Sequence, residues 1–62
     1  MRDPSRIYVI CNAIAEIWGN LPDWRLGQLF CNLQAKLGND LFYMEDKELV
    51  EALWAYVEEL KS

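Results

Sequence analysis

Two stretches decide the fold class: Pro22-Asp23-Trp24-Arg25-Leu26-Gly27-Gln28-Leu29-Phe30-Cys31-Asn32-Leu33 and, after a short break, Leu41-Phe42-Tyr43-Met44-Glu45-Asp46-Lys47-Glu48-Leu49. Each joins a helix-start signal to a dense apolar stripe. In the first, Leu26, Leu29, Phe30, Leu33 and Leu37 recur at helical spacing. Pro22 in the first turn, or Asp23 capping from just outside, starts a helix over about 23–37. Gly38-Asn39 ends it, because both residues tolerate the left-handed conformation of a C-cap.

In the second stretch Glu45 and Glu48 resemble a capping box, with Met44 and Leu49 as the matching hydrophobic staple. Asp46 is the intrinsically better cap, so the helix starts at 45 or 46 and runs over about 46–61. Its acidic first turn suits the positive end of the helix dipole. Leu49, Val50, Leu53, Tyr56, Val57 and Leu60 line one face, with Trp54 at its edge. Leu41-Phe42-Tyr43 reads as a short extended entry segment.

Upstream, Asp3-Pro4 starts a first helix over about 4–18, and Gly19-Asn20 ends it. Ile7, Ile10, Ile14 and Ile17 form its stripe. Cys11 and Trp18 widen that stripe, and Tyr8, Val9, Ala13 and Ala15 carry it around the sides. A helix apolar nearly all round is expected to be buried. The expected fold is all-α, one domain over 1–62, a compact three-helix bundle. Its expected core is Ile10, Ile14, Ile17, Leu26, Leu29, Phe30, Leu33, Leu49, Leu53 and Val57.

Size and composition bound the rest. Sixty-two residues that are 53% hydrophobic exclude disorder. A chain this short buries only about 60% of its unfolded surface. Three Trp, three Tyr and two Phe are more than one small core hides. A homo-oligomer is therefore expected, most simply a dimer. Gly27, Cys31 and Ala35, at i, i+4 and i+8 on the second helix, form a row of small side chains that lets another helix approach closely. It reads either as packing within the bundle or as a self-association seam. Tyr8 and Val9 on the first helix are the other self-association candidates.

The charge excludes several functions. The net charge is −4. Residues 1–37 hold four basic and three acidic groups, whereas residues 38–62 hold two basic and seven acidic. This balance argues against a phosphate-backbone binder, and only Arg2, Arg6, Arg25 and Lys36 would serve one. No apolar run approaches a membrane span. Asp3 and Pro4 stand where a secretory leader would place basic and then apolar residues, so a cytoplasmic setting with reduced thiols is expected. Two Cys without His make no ordinary zinc site, and no cofactor is implied.

Catalytic residues are not expected either. His and Thr are absent, and the only Ser residues are Ser5 and Ser62. Cys11 and Cys31 read as structural residues of apolar helices. Glu45-Asp46 and Glu58-Glu59 are adjacent on helices, where neighbours diverge. The best polar candidates are Arg25, Gln28 and Asn32, at i, i+3 and i+7 on one face, extended by Lys36. Arg25 reads as a clamp onto Glu45 or Asp46, or as part of a recognition row for a partner. Trp24, Trp54 and Tyr43 are candidate interface anchors as well as core fillers.

Through Pro22-Asp23-x-Arg25-Leu26-Gly27-Gln28-Leu29, Phe42-Tyr43-x-Glu45-Asp46-x-Glu48-Leu49 and the Ile17-Trp18 end of the first helix, the chain resembles a set of small hypothetical proteins of bacteria and their phages. That resemblance implies a compact helical fold and a cytosolic, mobile-element setting. It implies no catalytic or binding residue. Three functions are therefore carried forward. The first is a non-enzymatic protein-interaction module acting through an apolar, aromatic surface. The second is a phage or mobile-element inhibitor of a host defence protein, anti-CRISPR-like, using the acidic C-terminal half. The third is a small nucleic-acid-binding regulator.

Overall fold

Three stretches close α-helical hydrogen bonds in the computed structural model, which describes residues 2–61: α1 (Arg6–Trp18), α2 (Leu26–Leu37) and α3 (Asp46–Lys61). A single 3-10 turn, Leu41–Tyr43, joins α2 to α3. Among the described residues there is no strand. The chain is all-α, and α3 packs against both α1 and α2.

The core lies where the three stripes meet. Ile17, Leu29, Leu33, Leu53 and Val57 are fully buried, and Ile14, Trp18, Phe30, Leu49 and others pack around them. Two expected core residues lie outside that cluster. Leu26 is 42% exposed at the first turn of α2, where the neighbouring chain has not yet closed over it. Ile10 is half-buried beside a groove. α1 is also not buried all round: Ile7, Tyr8, Val9 and Cys11 are exposed. Two neighbouring helices cover only part of a cylinder, so the rest of an apolar helix meets solvent. Cys31 is exposed too.

The helix starts differ from expectation for local reasons. At α1, Asp3 caps a preceding turn: its Oδ1 accepts the Ser5 N–H at 3.0 Å, while Arg6 and Ile7 N–H groups reach Asp3 and Pro4 carbonyls. The α-helix follows at Arg6, with Ser5 at the N-cap. At α2, Leu21–Trp24 closes a turn of its own, with Trp24 N–H to the Leu21 carbonyl at 3.0 Å. The Trp24 carbonyl accepts the Trp18 indole N–H at 2.7 Å. Arg25 is extended (φ −77°, ψ 151°), and Gln28 Oε1 accepts its N–H at 2.8 Å. The cap is therefore Arg25 with Gln28 folded back, and neither Pro22 nor Asp23 holds that place.

The link between α2 and α3 corrects a second expectation. An isolated extended segment leaves its backbone donors without partners. Leu41–Tyr43 winds into a 3-10 turn instead, with Asp40 Oδ1 accepting the Phe42 N–H at 3.0 Å. Gln34 Oε1 takes the Leu41 N–H at 3.1 Å. At the start of α3, Glu48 Oε1 takes the Glu45 N–H at 3.4 Å, one half of the expected box.

The two glycine C-caps are not equivalent. Gly38 sits at φ 72°, the left-handed conformation its sequence position predicts. Gly19 stays right-handed at φ −57°. Its helix end is closed by the Asn20 side chain, whose Nδ2 donates to the Glu16 and Ile17 carbonyls at 3.1 and 3.3 Å. No described non-glycine residue has positive φ.

Candidate binding surface

With α3 packed on both other helices, the opposite side of α1 and α2 is left open. A groove of about 230 Å³ lies there, lined by Cys11, Ile14, Ala15, Trp18, Leu26 and Phe30. No lining residue is charged. Helical periodicity extends the surface along α1. Ile7, Cys11, Ile14 and Trp18 fall at i, i+4, i+7 and i+11, and Tyr8, Cys11 and Ala15 at i, i+3 and i+7. Ile7 is about half exposed and Tyr8 is 75% exposed. Ala15 and Trp18 continue into a second shallow depression with Gly19 and Pro22.

The small-residue row of α2 lies farther round that helix, where Cys31 and Ala35 line a separate depression with Gln34, Gly38, Asn39 and Asp40. Gly27 and Cys31 each follow a groove residue, Leu26 and Phe30, by one position. Gly27, Cys31 and Ala35 are all exposed, and a side-chain carbon built on Gly27 meets nothing within 4 Å. The row is open to solvent, so the reading of it as packing within the bundle is overturned. Val9, 69% exposed, lies on the other flank of α1. There it borders a groove of about 360 Å³ shared with α3 and lined by Arg6, Ile10, Asp46, Lys47, Val50 and Glu51 as well.

The polar row occupies a different face. Arg25, Gln28 and Asn32 are exposed on α2. Gln28 is engaged with the backbone at the cap. The expected clamp from Arg25 to Glu45 or Asp46 is not formed. Those carboxylates pair instead with the N-terminal segment: Arg2 to Glu45 at 2.8 Å and Arg6 to Asp46 at 3.1 Å. Arg25 is held at the helix start by its own cap, whereas Arg6 opens α1 against the first turn of α3. Lys36 reaches Glu59 at 2.6 Å. Hydrogen bonding to Glu59, then its charge, holds the Lys36 ammonium above the usual lysine range. Hydrogen bonds from Ser5 hold the Asp3 carboxyl below the usual range.

The aromatic candidates divide in the same way. Trp24 is half-buried with its ring edge-on to Tyr56, centroids 6.4 Å apart. Trp54 is half-buried against the core. Both build the fold. Tyr43 is 81% exposed and stacks edge-on with the equally exposed Phe42, centroids 5.0 Å apart. Sequence reasoning assigned Ile14, Trp18, Leu26 and Phe30 to the interior or its margin and so missed the groove they line. The available signal was the width of the α1 stripe, broader than two neighbours can cover.

Among the described residues no group of three or more His, Cys, Asp or Glu is placed to hold a metal ion. No described helix is long and apolar enough to cross a membrane. Comparison with known proteins finds no matching family model, no matching curated protein and no matching solved structure.

Proposed function

We propose that this chain is a small non-enzymatic protein-interaction module whose binding surface is the open α1/α2 face. The observation that carries this reading is the uncharged groove of Cys11, Ile14, Ala15, Trp18, Leu26 and Phe30, continued by the exposed Ile7 and Tyr8. Contiguous apolar surface rimmed by polar residues is where soluble proteins meet partners. Tyr and Trp there supply large contact area with few torsions to order.

A second reading has its own support. Glu48, Glu51 and Glu58 are exposed on α3, an acidic outer face suited to a basic groove on a host protein. It fits an inhibitor encoded by a phage or mobile element. A nucleic-acid regulator has less to work with. Of its four candidate cations, Arg2, Arg6 and Lys36 are engaged with carboxylates of the same chain.

The test places a photo-crosslinking amino acid at position 8 or at position 51 in the source cell. Adducts from position 8 but not from position 51 support the α1/α2 face. Adducts only from position 51 transfer the function to the acidic face, and none from position 8 overturns the first reading.

A further inference from the structure

We propose that the ion pairs at the starts of α1 and α3 form a salt-sensitive latch. It holds the N-terminal half of α1 in place, and its release lets that half open while the C-terminal half stays docked. Three observations converge on this device.

The first is the distribution of burial along α1. Ile17, next to the C-terminal end, is the fully buried residue of this helix, and Ile14 and Trp18 pack against the same core. Ile7 and Ile10 lie outside that cluster. Between Ile10 and Val50 the two helices are parted by the unfilled groove of about 360 Å³. Packing therefore anchors α1 from Ile14 onward and does little for the turns before it.

The second is the chemistry of the helix starts. α1 and α3 run parallel: Arg6 meets Asp46 where they begin, and Asn20 meets Lys61 where they end. Their positive dipole ends lie side by side. α3 answers its own with Asp46 and Glu48 in the first turn. α1 has no acidic residue in its first turn, opens on Arg6, and receives no side-chain hydrogen bond from Ser5 at its N-cap. A cation there is by itself unfavourable.

The third is that α3 supplies what α1 lacks. The Asp46 carboxylate takes Arg6 at 3.1 Å and Arg2 at 3.9 Å, and Glu45 takes Arg2 at 2.8 Å. These four side chains are 40–63% exposed, so salt reaches them. Each pair is weak alone. Together they close one end of a groove that packing leaves empty. Ile7 and Tyr8 ride on the latched half, so release moves them too. The latch operates whether or not the α1/α2 face has a partner.

Amide hydrogen exchange of the full chain, followed by NMR and corrected for intrinsic rates, reads the opening residue by residue. Protection over residues 10–13 is expected to be at least about tenfold lower than at Ile17 and Trp18. Raising salt from about 0.05 M to about 1 M is expected to widen that gap. Arg6→Gln supplies a test of sign. The helix dipole alone predicts that losing this cation protects the start of α1. The latch predicts a loss of about 3–5-fold over residues 10–13, with Ile17 and Trp18 changed by less than about twofold. Asp46→Asn is expected to act in the same direction, and the double variant to lose no more than the more affected single one. Even exchange along α1 overturns the proposal, as does a gap indifferent to salt. Protection gained in Arg6→Gln, a loss shared equally by Ile17 and Trp18, or additive losses in the double variant overturn it as well.

Discussion

The open α1/α2 face and the outer face of α3 are built from helices of similar length, yet they treat water in opposite ways. The outer face of α3 presents Glu48, Glu51 and Glu58, and its apolar residues Leu53 and Val57 point inward and are fully buried. Its apolar side is mostly covered, because two helices pack on it, and Leu60 near its C-terminal end, 45% exposed, is left out. α1 has only α3 and part of α2 for cover, and its apolar stripe is wider than that cover. The difference teaches that exposure here follows from helix count as much as from composition. A third helix satisfies α3, and α1 lacks a further one.

The largest way to sharpen this comparison is to truncate one leucine on each side of it. Leu33 is fully buried, and Leu26 lies 42% exposed in the open groove, one helix away from the same core. Leu33→Ala is expected to cost about 2–5 kcal/mol. A single core of this size supplies only about 3–5 kcal/mol in all, so that loss removes much or all of the stability. Leu26→Ala removes fewer buried contacts and is expected to cost about 1 kcal/mol. Urea denaturation at high dilution measures both. Equal losses would mean that the groove is as closed as the core, and the contrast between the two faces would fail.

Much of this was legible in sequence, and the reasons are local. The stripe of Leu29 and Leu33 and that of Leu53 and Val57 follow directly from spacing. Gly38 declared its left-handed cap. The start of α2 was not legible, because it depends on the Trp18 indole reaching the Trp24 carbonyl across the link. Leu41–Tyr43 has strand-like composition, but no described strand lies beside it to pair with, so its backbone turned to Asp40 and Gln34. At the candidate site, the polar row of Arg25, Gln28 and Asn32 was visible and the groove was not. Spacing places Ile14 and Phe30 on inward stripes, and only the packing of α3 decides how far inward they reach.

An intermediate test uses the glycines of α2, one at its open face and one at its end. Gly38 is at φ 72°, where a side chain is strained although nothing crowds it. Gly38→Ala is expected to destabilise the monomer by about 1–2 kcal/mol. Gly27 lies inside α2 with nothing within 4 Å of a built side-chain carbon. Gly27→Ala is therefore expected to stabilise the monomer by about 0.5–1 kcal/mol, by restricting the unfolded chain and favouring helix. Thermal melts at low protein concentration separate the two signs. A loss of stability at Gly27 would show that the small-residue row already touches something within one chain, which would close the face that the groove leaves open.

The smallest effect belongs to the ion pairs at the margin between the polar face of α2 and α3. Lys36 and Glu59 are both substantially exposed at 2.6 Å, so solvent screens what they contribute. The Lys36 pKa is raised, first by the hydrogen bond to Glu59 and then by its charge. A group whose pKa is higher in the folded chain stabilises that state while both forms are protonated. The contribution is whole below the ordinary lysine value and is lost as pH rises through the raised one. A double-mutant cycle of Lys36→Ala and Glu59→Ala is expected to show a coupling smaller than either glycine effect at neutral pH, reduced by salt and absent in strong alkali. A coupling that survived both salt and alkali would mean that contact between the side-chain stems, not charge, joins α2 to α3 there. The outer margin of α3 would then share the apolar character of the opposite face.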